Sequence, residues 1–235
     1  IQLDNREFIA RVLSERVARQ PERNTGKLRI LHATDRTAAK LFMTPMRDAS
    51  VFGPALRRAH HDVGRYFAIE VLADAIGTEE YSIPHVQGHQ VSGFRLKDEE
   101  HTIIVALMRG GEPMAFGVNE AFPRAMFLHS SSPGDIMSPH LTAKKTVILV
   151  DSVVNSGKTA AEFVQHIRML RADVGIFIVA GVVQRDIAQP GNQVGEALIH
   201  AGDVTLIALR LSENKFTGRG STDTGNRLFN TTQLA

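Results

Sequence analysis

The chain has 235 residues, and its 43% hydrophobic content is enough for a sizeable core in one large α/β domain or two small ones. The net charge of +2, without long runs of lysine or arginine, and the presence of only two tyrosines and no tryptophan argue against a nucleic-acid partner. Because there are no cysteines and no window is apolar enough to span a bilayer, we expect a cytoplasmic protein without disulfides or a membrane partner.

The N-terminal residues, IQLDNREFIARV, are too charged for a secretory signal. The start at Ile1 rather than at Met is typical of a piece of a longer polypeptide. Residues 4–20 place apolar side chains at helical spacing and arginines on the other face, which predicts a peripheral helix. We therefore assign residues 1–27 to an N-terminal helix and linker and residues 28–235 to one domain, beginning with a short strand over residues 28–31.

A long amphipathic helix is predicted over residues 48–76, with Pro54 in its first turn. His60 and His61 are adjacent, point to different faces of that helix and cannot easily bind one metal ion together. We interpret both as surface or interface histidines. Residues 77–84 are turn-like, and residues 86–96 favour a strand with a hairpin or bulge, which predicts a hairpin arm.

Apolar runs alternate with helical stretches through the remaining chain. Strands are predicted over residues 102–108, 125–129, 147–150, 175–183 and 204–211. The serine, proline and glycine content of residues 130–141 is typical of a mobile loop. Strands that alternate with helices predict an α/β fold with a mostly parallel sheet and helices on both faces.

The stretch TVILVDSVVNSGKT, residues 146–159, carries the clearest chemical signal. A buried strand ends at Asp151, and a short polar loop leads to a helix start, where backbone N–H groups and the helix dipole favour an anion. The tail GKT matches a Walker A loop, but Ser152 stands where that loop needs its first glycine, and Asp151 would face phosphate. A kinase is therefore disfavoured, and a plain helix N-cap is the simplest alternative.

This stretch resembles the phosphoribosyl diphosphate loop of the type I phosphoribosyltransferases, and the chain as a whole resembles the uracil phosphoribosyltransferases. Four regions carry the resemblance in the family's order. They are Arg47-Asp48 with Arg57, Gly64, Ala68 and Glu70; the glycine-rich turn over residues 108–114; residues 151–159; and the C-terminal pair Glu213-Asn214-Lys215-Phe216 and Thr222-Asp223-Thr224-Gly225-Asn226-Arg227-Leu228-Phe229. The last region resembles the family's hood, which we place at residues 212–231.

The resemblance implies that uracil and phosphoribosyl diphosphate give uridine monophosphate and diphosphate, a pyrimidine-salvage reaction. Asp151 and Asp223 would stabilise the oxocarbenium-like ribose. Arg109, Gly110 and Gly111 would bind the departing diphosphate, with Mg²⁺ carried in by the substrate and no direct protein ligand for the metal. The 5′-phosphate would bind at Asn155, Ser156, Gly157, Lys158 and Thr159, and the base at main-chain groups of Phe216, Gly220, Ser221 and Thr222. A homodimer or higher oligomer is also implied.

Several positions depart from the family pattern. The family's hood segment Pro-Gly-Leu-Gly-Asp is Arg219-Gly220-Ser221-Thr222-Asp223 in this chain, and its second aspartate is Asn226. The family's Asp-Pro-Met loop begins here with Asp151-Ser152-Val153, and residues 129–133 lack the arginine that closes over diphosphate in the family.

Two hypotheses therefore stand. The chain is either a phosphoribosyltransferase acting on uracil or a related base, or a catalytically weak or inactive module that binds a nucleotide or phosphoribosyl diphosphate and regulates a partner domain. A third class, an RNA-binding regulator, needs a basic face that this near-neutral composition does not indicate.

Overall fold

A computed structural model describes residues 27–214 and 218–234. The helix predicted over residues 4–20 and the predicted base-binding residue Phe216 lie outside the described residues. The strands are β1 (Arg29–His32), β2 (Thr78–Pro84), β3 (Gln90–Leu96), β4 (Thr102–Leu107), β5 (Met126–Ser130), β6 (Thr146–Val154), β7 (Gly175–Gln184) and β8 (Val204–Ser212). Six of them form one sheet in the order β1-β8-β7-β6-β4-β5, and every neighbouring pair is parallel.

The helices are α1 (Thr37–Arg47), α2 (Gly53–Phe67), α3 (Glu112–Ala121), α4 (Ser138–Leu141), α5 (Lys158–Leu170), α6 (Gln193–His200) and α7 (Thr224–Phe229). Helix α2 continues through one wider turn, Ala68–Leu72, and a last turn, Ala73–Ile76. Within the described ranges, no helix is both long enough and apolar enough to span a bilayer.

Alternate residues of the central strands face two separate cores. On one face, Ile104, Ile148 and Val179 pack with residues of α1, α2 and α3. On the other, Ile103, Leu149 and Ile178 pack with residues of α5 and α6. Because strands buried on both faces read as continuous apolar runs, the sequence identifies them readily. The predicted α/β fold with a mostly parallel sheet and helices on both faces is confirmed.

Several local predictions differ from the structure. Residues 77–84, interpreted as a turn, contain strand β2, which pairs antiparallel with β3 as a separate hairpin. Most of the β2 side chains are exposed, so the strand lacks the apolar pattern on which the prediction depends. The long helix begins at Gly53 rather than at residue 48, and helix α1 was not predicted at all.

The segment predicted as a mobile loop, residues 130–141, is held by local and core contacts. The Asp135 carboxylate accepts hydrogen bonds from the backbone N–H groups of Ser131 (2.7 Å) and Ser132 (2.9 Å). Ile136 and Leu141 are each 1% exposed and belong to the core shared with α5. The polar composition therefore produces a tight turn followed by the short helix α4.

Candidate active site

The turn after β4 lies directly against the end of β6, because these two strands are neighbours in the sheet. Gly111 is buried there, and a Cβ atom on it would lie 1.9 Å from the Val150 carbonyl oxygen. A Cβ atom on Gly110 would lie 3.3 Å from Oδ1 of Asp151. The two glycines thus let the turn contact β6 through its backbone, beside the Asp151 carboxyl group.

The Asp151 carboxyl group lies on the last part of β6 and faces the turn after β4. Burial raises the pKa of Asp151 to about 6, although hydrogen bonds from the backbone N–H groups of Ser152 and Val153 act in the opposite direction. The Ser152 N–H group donates to Oδ1 over 2.7 Å. A carboxyl group with this pKa is mostly ionised at pH 7 and can stabilise positive charge on a bound sugar.

Directly behind Asp151, a buried pair joins α2 to β6. Nε2 of His60 is 2.9 Å from Oγ of Ser152, and Nδ1 is 2.9 Å from the carbonyl oxygen of Leu56. Since a carbonyl only accepts, Nδ1 carries the proton and the Ser152 hydroxyl donates to Nε2. Burial lowers the pKa of His60 to about 4, so the imidazole is neutral near pH 7.

The interpretation of His60 as a surface or interface histidine is therefore wrong, since His60 is only 1% exposed within the single chain. Leu56, His60, Val63 and Phe67 recur at helical spacing and are all buried, and that spacing was the signal in the sequence. The neighbouring His61 is partly exposed, and its Nε2 lies 2.8 Å from a Glu120 carboxylate oxygen.

Strand β6 continues through Val154, so only residues 155–157 form the loop before α5. Gly157 has a φ of 72°, and a Cβ atom on it would lie 2.8 Å from Cγ1 of Val194 on α6. The loop is therefore short and packed against the body of the protein. The Lys158 side chain is exposed, and its Nζ lies 3.8 Å from Glu162 of the same helix.

Arginines hold the hood over the carboxyl edge of the sheet. Arg109 donates to Oδ1 of Asn226 over 2.9 Å and to Oγ1 of Thr231 over 3.2 Å. Arg57 donates to the carbonyl oxygen of Leu228 over 2.6 Å. In the reverse direction, Arg227 of the hood donates to the carbonyl oxygens of Met46, Asp48 and Val51 over 3.2, 2.7 and 2.8 Å.

A cavity of about 560 Å³ lies between the two turns and the hood. Its lining residues are Met108, Arg109, Gly110, Asp151, Ser152, Val153, Asn155, Gly218, Arg219, Asp223, Thr224 and Gly225. Five of the predicted site residues therefore meet there, namely Arg109, Gly110, Asp151, Asn155 and Asp223. The predicted residues that do not line it are Gly111, Ser156, Gly157, Lys158, Thr159, Gly220, Ser221 and Thr222.

The cavity also contains an arginine that the sequence reasoning did not select. Arg219 lines the hood side, at the position where the resemblance led us to expect proline. The arginine at a position where the family has proline was the signal in the sequence that could have identified Arg219 as a site residue. Asp223 lies close by and caps α7, since its Oδ1 accepts the Asn226 N–H over 2.8 Å. The cavity thus combines a carboxylate and a cation on its hood side with Asp151 on its sheet side.

Comparison with known proteins identifies relatives of similar sequence and a solved structure of similar fold. The sequence profile of the family described as uracil phosphoribosyltransferase matches residues 33–231. A uracil phosphoribosyltransferase of Haloarcula marismortui is 27% identical over 210 residues, covering 81% of this chain and 91% of the relative. Another, of Haloquadratum walsbyi, is 24% identical over 224 residues, covering 82% and 92%. The solved structure of the AQ2163 protein from Aquifex aeolicus superposes on this chain with a TM-score of 0.63 at 17% identity. The superposition covers 85% of this chain and 97% of that one, and it shows that the two proteins share a fold.

Proposed function

The chain belongs to the uracil phosphoribosyltransferase family, and from that premise we propose that it transfers the phosphoribosyl group of phosphoribosyl diphosphate to uracil or a related base. The nucleotide monophosphate and diphosphate are the products. The proposal rests on one observation: the same cavity is lined by Asp151, by the glycine turn after β4, and by the hood residues Arg219 and Asp223.

Each side of the cavity suits one part of this reaction. The ribose gains positive charge as its bond to diphosphate breaks, and the ionised Asp151 carboxylate stabilises that charge. Diphosphate gains negative charge at the same time, which the Arg219 guanidinium and the backbone beside Gly110 are placed to stabilise. The base would bind between the hood and the end of β6.

Magnesium enters this proposal with the substrate. Within the described ranges, no group of three or more histidine, cysteine, aspartate or glutamate side chains could hold a metal ion. Mg²⁺ prefers oxygen ligands and commonly combines one or two carboxylates with substrate phosphates. Asp151 and Asp223, the two carboxylates that line the cavity, would attract an ion that the phosphate oxygens of the substrate hold, without a direct protein ligand, and bound Mg²⁺ would neutralise charge on the leaving diphosphate.

The test is to incubate the protein with phosphoribosyl diphosphate, Mg²⁺ and a panel of pyrimidine and purine bases, and to measure diphosphate release and nucleotide formation. We expect turnover with uracil or a close analogue. Asp151→Asn preserves the shape of the side chain and removes its charge, so kcat should fall roughly 100-fold. Arg219→Gln should reduce kcat/KM by about tenfold or more, because a cation on the hood side is lost.

His200→Ala is a suitable control, since this exposed histidine lies at the end of α6 and does not line the cavity. His60→Ala is not suitable, because His60 is buried against Ser152. Turnover that is unchanged in Asp151→Asn would contradict the assignment of the site. No product with any base, in a protein that binds phosphoribosyl diphosphate, would favour the second candidate.

That second candidate is a module that binds a nucleotide or phosphoribosyl diphosphate without efficient turnover. One observation favours it: the guanidinium of Arg109 is already hydrogen-bonded to Asn226 and Thr231 of the hood. An arginine engaged in this way must leave those partners before it binds diphosphate. Asn226→Ala removes one partner, and we expect it to increase diphosphate release if the Arg109 contact limits catalysis.

We also propose that the chain forms a homodimer or a higher oligomer. The β2–β3 hairpin exposes large apolar side chains, with Val86 97% exposed and Phe94 67% exposed, and large exposed apolar groups often mark protein–protein contacts. Light scattering at micromolar concentration should give at least twice the mass of the chain. Phe94→Ser should shift that mass toward the monomer, whereas a monomeric wild type would contradict this proposal.

A further inference from the structure

Strand β7 ends in a buried glutamine whose amide nitrogen is unpaired in the described part of the chain. Gln184 follows the apolar run Ile176–Val183, and only 6% of it is exposed. Its Nε2 atom is buried and has no hydrogen-bond partner within residues 27–214 and 218–234. A buried donor without a partner is destabilising, and an apolar side chain of the same length would avoid that cost. Packing alone therefore does not account for a glutamine at this position.

The order of the strands places Gln184 beside the cavity under the hood. Val154 and Val183 form the last pair between β6 and β7. The residues that follow them, Asn155 and Gln184, therefore lie at neighbouring positions, and Asn155 lines the cavity. On its other side, Gln184 pairs with Ser212, the last residue of β8, where the hood begins. Gln184 is thus flanked by one residue of the cavity and one residue of the hood.

Gln184 also lies on the face of the sheet that carries the hood. Val183 belongs to the core on the side of α5 and α6, whereas Val182 packs against the core on the side of α1 and α2. Because side chains alternate between the faces of a strand, Gln184 shares the face of Val182. The hood is attached on that same side, since Arg57 of α2 donates to the carbonyl oxygen of Leu228. The carboxamide is therefore located between the sheet and the hood.

A carboxamide matches the edge of a pyrimidine base. It offers an acceptor, Oε1, beside a donor, Nε2. Uracil presents a ring N–H beside a carbonyl oxygen, so one carboxamide can accept from the first and donate to the second, as asparagine and glutamine do with adenine in DNA. Diphosphate presents only acceptors with negative charge, which suit the Arg219 guanidinium better than an uncharged amide. The chemistry of Gln184 thus favours the base over the other parts of the substrates.

We propose that Gln184 is a specificity residue, whose carboxamide hydrogen-bonds the edge of a pyrimidine base bound under the hood. The inference rests on the function proposed above, and it adds the side chain that recognises the base. Because Nε2 is buried in this structure, the base reaches it when the hood opens, and the hood then closes over the base. The base supplies the hydrogen bond that the amide nitrogen lacks, so binding removes the cost of the unpaired donor.

The test is calorimetric titration of the whole chain with uridine monophosphate and with ribose 5-phosphate, which lacks the base. Gln184→Met keeps the length of the side chain and removes its polar atoms. We expect this variant to bind uridine monophosphate about fivefold or more weakly, and ribose 5-phosphate within about twofold of wild type. Gln165→Met is the matched control, because Gln165 is an exposed residue of α5 that does not line the cavity, and this variant should bind both ligands as wild type does.

Thermal melting separates this role from a purely structural one. Gln184→Met loses an unpaired buried amide, so its melting temperature should equal or exceed that of wild type while its affinity for uridine monophosphate falls. In NMR spectra, the side-chain amide signal that is missing from Gln184→Met should shift when uridine monophosphate is added to wild type, and should not shift with ribose 5-phosphate. A lower melting temperature with unchanged affinity would assign the amide to an internal water and overturn the proposal.

The two ligands also distinguish a failure of this inference from a failure of the proposed function. Uridine monophosphate that binds equally well to wild type and to Gln184→Met overturns the role of Gln184 and leaves the proposed function standing. A wild type that binds ribose 5-phosphate and uridine monophosphate with equal affinity has no site for the base, which also overturns the inference. A wild type that binds neither ligand contradicts the proposed function itself, and the role of Gln184 is then overturned with it.

Discussion

The sheet side and the hood side of the cavity are attached to the protein in different ways. The sheet side, which we call the floor, consists of Gly110, Gly111, Asp151 and Ser152, and close backbone packing fixes it. The hood is held by arginine side chains that donate to carbonyl oxygens and to the partly exposed side chains of Asn226 and Thr231.

This difference determines which side can move. A floor that is packed at van der Waals distance moves only with the strands that carry it, so its motion costs nearly the global free energy of unfolding. A short helix held by charged hydrogen bonds can detach while the sheet stays folded. We therefore expect the floor to keep the reacting groups in place and the hood to open for substrate and product.

The largest expected effect is on the floor, in Gly111→Ala. The added methyl group would lie 1.9 Å from the Val150 carbonyl oxygen and 2.9 Å from that of Leu107, so the turn must separate from β6. We expect the free energy of unfolding, measured in urea, to fall by about 3 kcal/mol or more. Gly134→Ala is the matched control, since its nearest neighbour is the Ser132 hydroxyl at 3.9 Å, and it should change stability by less than about 0.5 kcal/mol.

Next in size is the loss of the buried pair behind the floor. Ser152→Ala removes the hydroxyl that donates to Nε2 of His60 and leaves this buried nitrogen without a hydrogen bond. We expect the free energy of unfolding to fall by about 1–3 kcal/mol. The double variant His60→Leu, Ser152→Ala replaces both polar partners with apolar groups and should recover much of that loss. Stability effects of His60→Leu and Ser152→Ala that simply add would show that the pair does not couple α2 to β6.

A smaller global effect, confined to the hood, is expected for Arg227→Gln. This change removes charged hydrogen bonds to the carbonyl oxygen of Met46, in the last turn of α1, and to two carbonyl oxygens in the segment between α1 and α2. Hydrogen exchange should show the opening free energy of α7 falling by about 1–2 kcal/mol, while the exchange of β6 and β7 amides is unchanged. Accelerated exchange throughout the sheet would mean that hood and floor unfold together, and the distinction between them would be wrong.

The sequence predicts the floor far better than it predicts the hood contacts. Buried parallel strands appear as continuous apolar runs, such as Ile103–Leu107 and Val147–Val150, and adjacent strand ends bring Arg109 and Asp151 to one place. Helix α1 was missed because it contains Pro45 and its N-cap residue, Arg36, makes no capping side-chain bond. Strand β2 was missed because its side chains are mostly exposed.

The hood contacts could not be predicted, because they join residues far apart in the chain and use backbone acceptors. Arg57 and Leu228 are 171 positions apart, and a carbonyl oxygen leaves no sequence signature. The resemblance located the hood and the position of Asp223, but only the structure shows that Arg219 lines the cavity and that Arg109 is bonded to Asn226. His60 was misassigned because it was interpreted only as one of two adjacent histidines, without regard to the apolar residues at helical spacing around it.

The smallest expected effect concerns the charge that the floor buries. The folded-state pKa of Asp151 is about 6 against an ordinary value of 3.8, so the folded protein binds this proton more tightly than the unfolded chain does. Protonated Asp151 therefore contributes to the free energy of unfolding. This contribution is fully present below pH 3.8 and is lost as the pH rises through 6. Asp151→Asn keeps the acceptor for the Ser152 N–H and lacks the charge, so at pH 8 it should be more stable than wild type. Because the site is partly open to solvent, we expect the gain in unfolding free energy to be on the order of 1 kcal/mol.

That gain should disappear as the pH falls from 6 to 4, which urea unfolding at several pH values can measure. Asp135→Asn is the control of opposite sign, because backbone N–H groups of Ser132 and Ser131 lower the pKa of Asp135. It should be less stable than wild type at pH 8, with the difference shrinking in acid as wild-type Asp135 becomes protonated. A gain for Asp151→Asn that is equal at pH 4 and pH 8 would show that the floor buries no ionised carboxylate, and the stabilisation of ribose charge would then have to come from the hood.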